Sequence, residues 1–173
     1  MDEGEFFYSG TMSERATRRL AVILERQAVE SRWETHRWSL VGVVPDEGGE
    51  VRTLADDGRI LRRLHPGFEV ELLQAEAEGH YLNATSESPS VFVALRRDEE
   101  TGDAYPFQAT LSYNEAARWM DGSERVERVA AQPELARWMW EWVERNYRPE
   151  PKERRKPRSF AGKEGRLRKE GSQ

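Results

Sequence analysis

Histidine exchanges protons more readily near neutral pH than other residue types, and it occurs only three times in this 173-residue chain. His36, His65 and His80 are not paired at a spacing that would place two ligands on one helix face. We predict hydrogen-bonded or surface histidines, with a ligand or acid–base role for one of them as the alternative. Cysteine is absent, which excludes disulfides, iron–sulfur ligation and thiol nucleophiles and is typical of a reducing compartment.

The other polar clusters have the composition of turns. Asp56-Asp57 and Asp98–Glu100 could bind a hard cation, but neither has the alternating ligands of a calcium loop. Ser86, Ser88 and Ser90 lack both the glycine-flanked elbow and the identifiable base of a serine nucleophile. No glycine spacing matches a phosphate loop or a dinucleotide fingerprint. We therefore predict no catalytic residue, no metal site and no cofactor.

Aromatic residues beside charged ones are better candidates for binding. Trp33 and His36 lie in a polar connector between two apolar runs. Trp140 falls outside the apolar stripe of its helix and has Arg137 and Glu141 close by. Because indole rings often anchor protein contacts, we predict that Trp33, His36 and Trp140 contact a protein partner. For Trp140, packing beneath the C-terminal tail is the alternative.

The charge of the chain is divided between an acidic body and a basic tail. Residues 148–173 contain ten Lys/Arg and four Glu, whereas residues 1–147 contain 17 Lys/Arg and 28 Asp/Glu. The tail residues predicted to contact a partner are Arg154, Arg155, Lys156 and Arg158. A solvated tail and nucleic-acid binding are the alternatives. The tail has one aromatic residue, Phe160, and the acidic body would repel a polyanion, so an acidic protein is favoured.

Short apolar runs of strand length, separated by turn residues, occupy most of the chain. The predicted strands are Leu20–Leu24, Trp38–Val44, Glu50–Leu54, Arg59–Leu64, Phe68–Leu72, Tyr81–Ala84, Val91–Leu95, Tyr105–Leu111 and a small edge strand at Val126–Val129. Asp57-Gly58 is a typical hairpin turn, and Pro66-Gly67 is predicted to break the chain between two strands. Val91–Leu95 and Tyr105–Leu111 are predicted to form an antiparallel hairpin.

Two helices are predicted toward the C-terminus. Ser112 and Glu115 have the spacing of a capping box, in which the glutamate side chain would reach back to the amide of the cap residue. That helix is predicted to end at Asp121-Gly122. Pro133 suits the first turn of the second helix. The residues that recur on one face of it are Leu135, Trp138, Met139, Trp142 and Val143.

These elements indicate an α+β fold with a mainly antiparallel sheet or small barrel, capped by two C-terminal helices. We expect a flexible N-terminus at residues 1–16, a single α+β domain at 17–147 and a disordered basic tail at 148–173. The longest apolar runs have five residues, far fewer than the roughly 20 of a membrane helix. The acidic segment Met1–Tyr8 is unlike a secretory signal. We therefore expect a cytoplasmic protein without membrane insertion.

Arg32–Trp38, Val41–Pro45, Tyr81–Val93 and Trp138–Tyr147 resemble an uncharacterised domain family seen mainly in proteobacteria. The resemblance extends from Leu20 to Arg158. Members of that family are typically encoded beside genes for molybdenum-dependent formate dehydrogenase and its accessory proteins. The resemblance therefore implies a role in maturing, assembling or supporting that enzyme, and it implies no catalytic residues.

The leading hypothesis is a non-enzymatic accessory factor that binds a protein partner, a formate dehydrogenase component or maturation factor, through its aromatic surface and basic tail. The first alternative is a small-ligand or cofactor-binding enzyme with a pocket near Trp33, His36 and His80. Convergence of these three side chains on a deep pocket would favour it. The second alternative is a nucleic-acid-associated protein that acts through the tail, for which binding should depend steeply on salt.

Overall fold

Two antiparallel sheets and three helices make up the computed structural model, which describes residues 16–151. The strands are β1 (Ala16–Ala28), β2 (His36–Pro45), β3 (Arg52–Asp56), β4 (Ile60–Leu72), β5 (Ser90–Arg97), β6 (Ala104–Thr110) and β7 (Arg125–Ala130). The helices are α1 (Ala77–Ala84), α2 (Tyr113–Asp121) and α3 (Pro133–Asn146), and a 3₁₀ turn at Gln74–Glu76 precedes α1. The four-stranded sheet has the order β2-β1-β4-β3 and the three-stranded sheet the order β6-β5-β7.

The central strand of each sheet supplies much of the core. In β1, Leu20, Val22 and Leu24 are buried at alternate positions, and Ala21, on the opposite face between them, is buried as well. In β5, every residue from Ser90 to Leu95 is buried, because both faces of this strand are covered. Most of the buried apolar residues of the two sheets belong to one hydrophobic cluster, which also includes Ala77 of α1 and Met139, Trp142 and Val143 of α3.

The predicted α+β class is confirmed, with open sheets in place of a barrel. The described strands form two separate antiparallel sheets, so the small-barrel alternative is not realised among them. Side chains of β7 link the sheets: the Glu127 carboxylate accepts a hydrogen bond from the Leu40 amide at 3.0 Å, and Arg125 donates to the Trp38 carbonyl at 2.6 Å. The predicted hairpin of β5 and β6 and the edge strand β7 are also confirmed.

The predicted break at Pro66-Gly67 is wrong. Strand β4 runs without interruption from Ile60 to Leu72, and its pairing with β1 shifts register between Leu20 and Val22. Gly67 has a φ of 90°, a conformation that glycine adopts without a steric penalty. The two residues therefore form a bulge within one long strand.

The predicted strand at Tyr81–Ala84 is also wrong, because these residues end helix α1. The helix buries polar groups, His80 and Asn83, and so lacks an apolar stripe that the sequence pattern could reveal. Its packing against the start of α2 is close: a Cβ on Gly79 would lie 2.1 Å from the Ser112 hydroxyl oxygen.

Both predicted C-terminal helices are present, and α3 places Met139, Trp142 and Val143 in the core. Ser112 caps α2 as predicted, since its hydroxyl accepts a hydrogen bond from the Glu115 amide at 3.1 Å. The reciprocal half of the predicted capping box is wrong. The hydroxyl of Thr110 accepts from the Ser112 amide at 3.0 Å and donates to the Glu115 carboxylate at 2.5 Å.

Candidate functional site

The turn that joins β1 to β2 carries two of the predicted interaction residues. We refer to residues 29–36 as the hairpin tip. Trp33 lies within it and is 91% exposed, more than any other large hydrophobic side chain in the described part of the chain. His36, the last residue of the tip, is also exposed, and its Nδ1 atom lies 3.0 Å from the Thr35 hydroxyl. Trp33 and His36 therefore lie on the same exposed turn.

The hairpin tip extends beyond the packed part of the molecule. Residues 30–37 are all exposed. Pairing of the two strands ends at Ala28 and His36, and one backbone hydrogen bond, from the Val29 amide to the Thr35 carbonyl at 3.0 Å, closes the loop above them. Because the loop between these residues is polar, the indole of Trp33 projects into solvent rather than into a local apolar cluster.

The other predicted interaction residues do not join the tip. Trp140 is 40% exposed, and its helix α3 packs against α1. The tail residues Arg154, Arg155, Lys156 and Arg158 lie outside the described residues. Among the predicted interaction residues, Trp33 and His36 are the two that the structure places on the same exposed loop.

The residues of the alternative enzyme pocket lie apart. His80 is 1% exposed within α1, where its Nε2 atom accepts a hydrogen bond from the Leu73 amide at 3.2 Å. Leu72, the neighbour of Leu73, pairs with the first residue of β1, and His36 pairs with the last. Since β1 has 13 residues, about 40 Å of strand separates these positions at ~3.3 Å per residue. Trp33, His36 and His80 do not converge on one pocket.

The two buried histidines have the properties of core residues. Burial lowers the pKa of His80, although the Leu111 carbonyl and the Glu76 carboxylate favour its charged form. Its ring meets Trp142 edge to face at 5.5 Å. Burial, assisted by Arg63, lowers the pKa of His65 to about 4. Among the described residues, no group of three or more His, Asp or Glu side chains is arranged to hold a metal ion.

A buried polar junction joins α1 to β5 and α2. The Asn83 side chain donates to the carbonyls of Ser90 and Leu111, each at 2.8 Å, and accepts from the Ser90 amide at 2.9 Å. The Ser112 hydroxyl donates to Glu76 at 2.5 Å. Burial tends to raise the pKa of Glu76, but hydrogen bonds from Ser112 and Arg118 outweigh it and the pKa lies below its usual range. The side chains of Asn83, Ser112 and Glu76 therefore form hydrogen bonds between structural elements.

A groove of about 570 Å³ lies at the opposite end of the hairpin, between the base of β1 and β2 and the first half of α3. The apolar residues that line it are Leu20, Val43, Val44, Pro45, Leu135 and Trp138. Its charged lining residues are Arg18, Arg19, Glu134, Arg137 and Glu141. The Arg18 guanidinium lies 4.5 Å from the centre of the Trp138 ring. These residues come from three elements that are distant in sequence, which is why the pattern of the chain did not reveal the groove.

The comparison with known families gives one match. The model of a family described as "Protein of unknown function (DUF3305)" matches residues 19–156. That span includes the hairpin tip, the buried polar junction and α3. No curated protein and no solved structure matches the chain. Within residues 16–151, no helix has the length and apolar character needed to span a membrane.

Proposed function

The chain belongs to the DUF3305 family, and from that membership and the geometry above we propose that it is a non-enzymatic accessory factor of the cytoplasm that binds another protein through the hairpin tip. The observation that carries the proposal is the 91% exposure of Trp33. A side chain of this size buries roughly 150–250 Å² of surface when it is covered. At about 25 cal/mol per Å² such burial releases several kcal/mol, which makes the indole a strong potential anchor.

The surroundings of Trp33 fit a protein contact. Arg32, Glu34 and Arg37 are exposed on either side of it along the chain, so an apolar anchor has charges of both signs as its neighbours in sequence. Protein interfaces commonly have this arrangement, with an aromatic residue at the centre and a polar rim. His36 adds a hydrogen-bonding group to the same rim. A small-molecule site would instead need a concave surface, which a projecting loop does not provide.

The partner that we propose is a component or maturation factor of a molybdenum-dependent formate dehydrogenase. The support for this identity is the resemblance carried by Arg32–Trp38, which includes the exposed tryptophan. The basic residues after position 148 would add attraction to an acidic partner and accelerate its association.

Affinity purification from the native host tests the proposal. Tagged wild-type chain is compared with Trp33→Ala, Trp33→Phe and Val51→Ala, and bound proteins are identified by mass spectrometry. Val51 is 55% exposed and provides a control for the loss of an exposed apolar side chain away from the tip. We expect Trp33→Ala to weaken the affinity for the partner by about 30-fold, equivalent to ~2 kcal/mol. Trp33→Phe should retain part of the affinity, and Val51→Ala should retain all of it.

Two results would contradict the proposal in different ways. If wild type and Trp33→Ala recover the same proteins in the same amounts, the hairpin tip is not the binding surface. If deletion of the gene leaves formate dehydrogenase activity and molybdenum content normal, the partner belongs to another system.

A further inference from the structure

The contact between the two sheets is closed on one side and open on the other. On the closed side, Arg125 and Glu127 of β7 form hydrogen bonds with the backbone of the edge strand β2. On the open side β6 approaches β4, and two cavities of about 420 Å³ and 490 Å³ lie between these strands. Phe68 of β4 lines both cavities, so they adjoin each other. We refer to the two together as the β4–β6 cleft.

The strands beside the cleft have unpaired edges. Strand β6 is paired with β5 alone, and on its β3 side β4 is paired only from Leu61 to Leu64 among the described residues. Phe107–Thr110, four consecutive residues of β6, all line the 420 Å³ cavity. Since consecutive residues of a strand point to opposite faces, a cavity that all four line lies beside the edge of the strand. The backbone groups at such an edge are available to pair with an added strand.

The charge of the cleft is predominantly negative. Six carboxylates and a single arginine line the two cavities: Glu69, Glu71, Glu76, Asp98, Asp103, Glu115 and Arg63. Arg63 is paired with Asp103, and Arg118, which lies outside the lining, is paired with Glu76. These two arginines balance two of the six carboxylates, so the cleft favours a basic occupant.

The 420 Å³ cavity is the acidic part of the cleft. Glu69 is exposed there, and the Glu115 carboxylate accepts its hydrogen bond from the neutral hydroxyl of Thr110. No Lys or Arg within residues 16–151 lines this cavity. Phe68 and Trp119 line it as well, and the faces of aromatic rings attract cations. This part of the cleft therefore suits a lysine or arginine side chain.

The 490 Å³ cavity is the more apolar part. Its apolar lining residues are Val51, Pro66, Phe68, Ala104, Tyr105 and Pro106. His65 also lines it and is 8% exposed, and its Nε2 atom has no hydrogen-bond partner in the described part of the chain. Buried polar groups are normally hydrogen-bonded, so the wall of this cavity contains an unsatisfied group. An apolar side chain suits the cavity, and a neighbouring hydroxyl or amide of the occupant would give the imidazole a partner.

We propose that the β4–β6 cleft binds an extended, basic segment of a partner protein as an added strand along β6. Because Pro106 has no amide hydrogen, backbone pairing involves residues 107–110. A lysine or arginine of the segment lies in the acidic part, and an apolar side chain about three or four residues away lies in the apolar part. This spacing follows the offset between Ala104–Pro106 and Phe107–Thr110 along β6. The cleft is separate from the hairpin tip, so the inference does not depend on the proposed function.

Peptide selection against the full-length chain tests the proposal. The probe is a library of random nonapeptides displayed on phage, and the affinity of each selected peptide is measured by fluorescence anisotropy. We expect the enriched peptides to combine a lysine or arginine with a large apolar residue about three or four positions away. Glu69→Lys should weaken their binding about tenfold or more. Glu87→Lys makes the same charge change at an exposed position outside the cleft and should weaken it by less than about twofold.

Hydrogen exchange distinguishes strand addition from attachment through side chains alone. When a selected peptide saturates the full-length chain, exchange of alternate amides between Phe107 and Thr110 should slow by about tenfold or more, because these amides become hydrogen-bonded to the peptide. Unchanged exchange along β6 would overturn the proposal. A selection that enriches no basic peptide would overturn it as well.

Two other occupants of the cleft would give different results. The first is the basic tail, tested with the variant Arg154→Gln/Arg155→Gln/Lys156→Gln/Arg158→Gln. If this variant binds the selected peptide more than about tenfold tighter than wild type, the tail of the same chain fills the cleft and the proposal is wrong. The second is another copy of the chain. Slow exchange of the same amides without peptide, with faster exchange on dilution, would identify that copy as the occupant and would also refute the proposal.

Discussion

Trp33, beyond one end of strands β1 and β2, is 91% exposed, whereas Trp142, packed near the other end, is 8% exposed and contacts His80. Trp138 is intermediate, half-buried beneath the Arg18 guanidinium. The same residue type thus has a different environment at each end of the hairpin. At the base the helices α1 and α3 cover the strands, and at the tip no described element packs against the loop.

The difference indicates that the two ends of the hairpin have different roles: the base stabilises the fold, and the tip is available for binding. The base holds the buried junction around Asn83, where every polar group is engaged by another element. The tip carries the exposed indole of Trp33. Ala28, just before the tip, donates its amide to the Arg59 carbonyl, and within the tip the Val29 amide donates to the Thr35 carbonyl of the same hairpin. Changes at the base should therefore unfold the protein, while changes at the tip should alter binding and leave the fold intact.

The largest expected effect is at the base. Replacement Asn83→Ala removes the partner of two carbonyls and one amide that remain buried, and we expect a loss of about 4 kcal/mol in the free energy of unfolding. Urea denaturation measures it. Asn114→Ala is the matched control, because Asn114 contributes a single exposed contact to Glu78 at 3.4 Å and should change stability by less than about 0.5 kcal/mol. Equal effects of the two variants would show that the junction does not secure the base.

A second effect depends on pH. The pKa of His65 is lowered to about 4, below the usual value of 6.5. Above pH 6.5 both the folded and the unfolded chain hold this ring neutral. As the pH falls toward 4, the unfolded chain takes up a proton that the folded chain excludes, so stability should fall by up to about 3 kcal/mol over this window. His80, whose pKa is also lowered, acts in the same direction.

The variant His65→Leu checks this pH dependence by urea denaturation at several pH values. It should flatten the slope between pH 6.5 and 4 relative to wild type. An unchanged slope in His65→Leu would place the pH-sensitive group elsewhere in the protein.

Much of the fold followed from the sequence because strands and amphipathic helices leave periodic patterns. Leu20–Leu24, Val91–Leu95 and the stripe of α3 were predicted correctly since their burial is itself periodic or continuous. Helix α1 was missed because it buries polar side chains, whose partners come from β5 and the start of α2. The helix-forming run of Ala and Glu from Ala75 to Glu78 was the signal that could have indicated it.

The candidate site was only partly accessible to prediction. A tryptophan inside a polar connector indicated Trp33, but its exposure depends on how far β1 and β2 extend beyond the core, which the sequence does not specify. The groove was missed altogether, since Arg18 and Trp138 are far apart in sequence and meet only through the packing of α3 on the sheet. Short-range patterns do not contain such contacts.

A smaller effect is expected at the groove. Replacement Arg18→Gln removes a cation from above the Trp138 ring, an interaction that contributes about 0.5–1 kcal/mol at an exposed site. Thermal denaturation at matched salt should show a correspondingly small decrease in stability. Arg37→Gln, an exposed arginine beside the tip, is the control and should leave the transition within about 0.5 kcal/mol of wild type. A decrease as large as that of Asn83→Ala would mean that Arg18 has a role in the core.

The smallest expected effect on stability is at Trp33 itself. Replacement Trp33→Ala should change the free energy of unfolding by less than about 0.5 kcal/mol, because a side chain that is 91% exposed loses almost no buried area. Trp142→Ala is the matched variant at the base and should lose about 3–5 kcal/mol through the cavity that it leaves. A measurable destabilisation by Trp33→Ala would imply that the indole is covered in the free protein, and the hairpin tip would then have to uncover it before binding any partner.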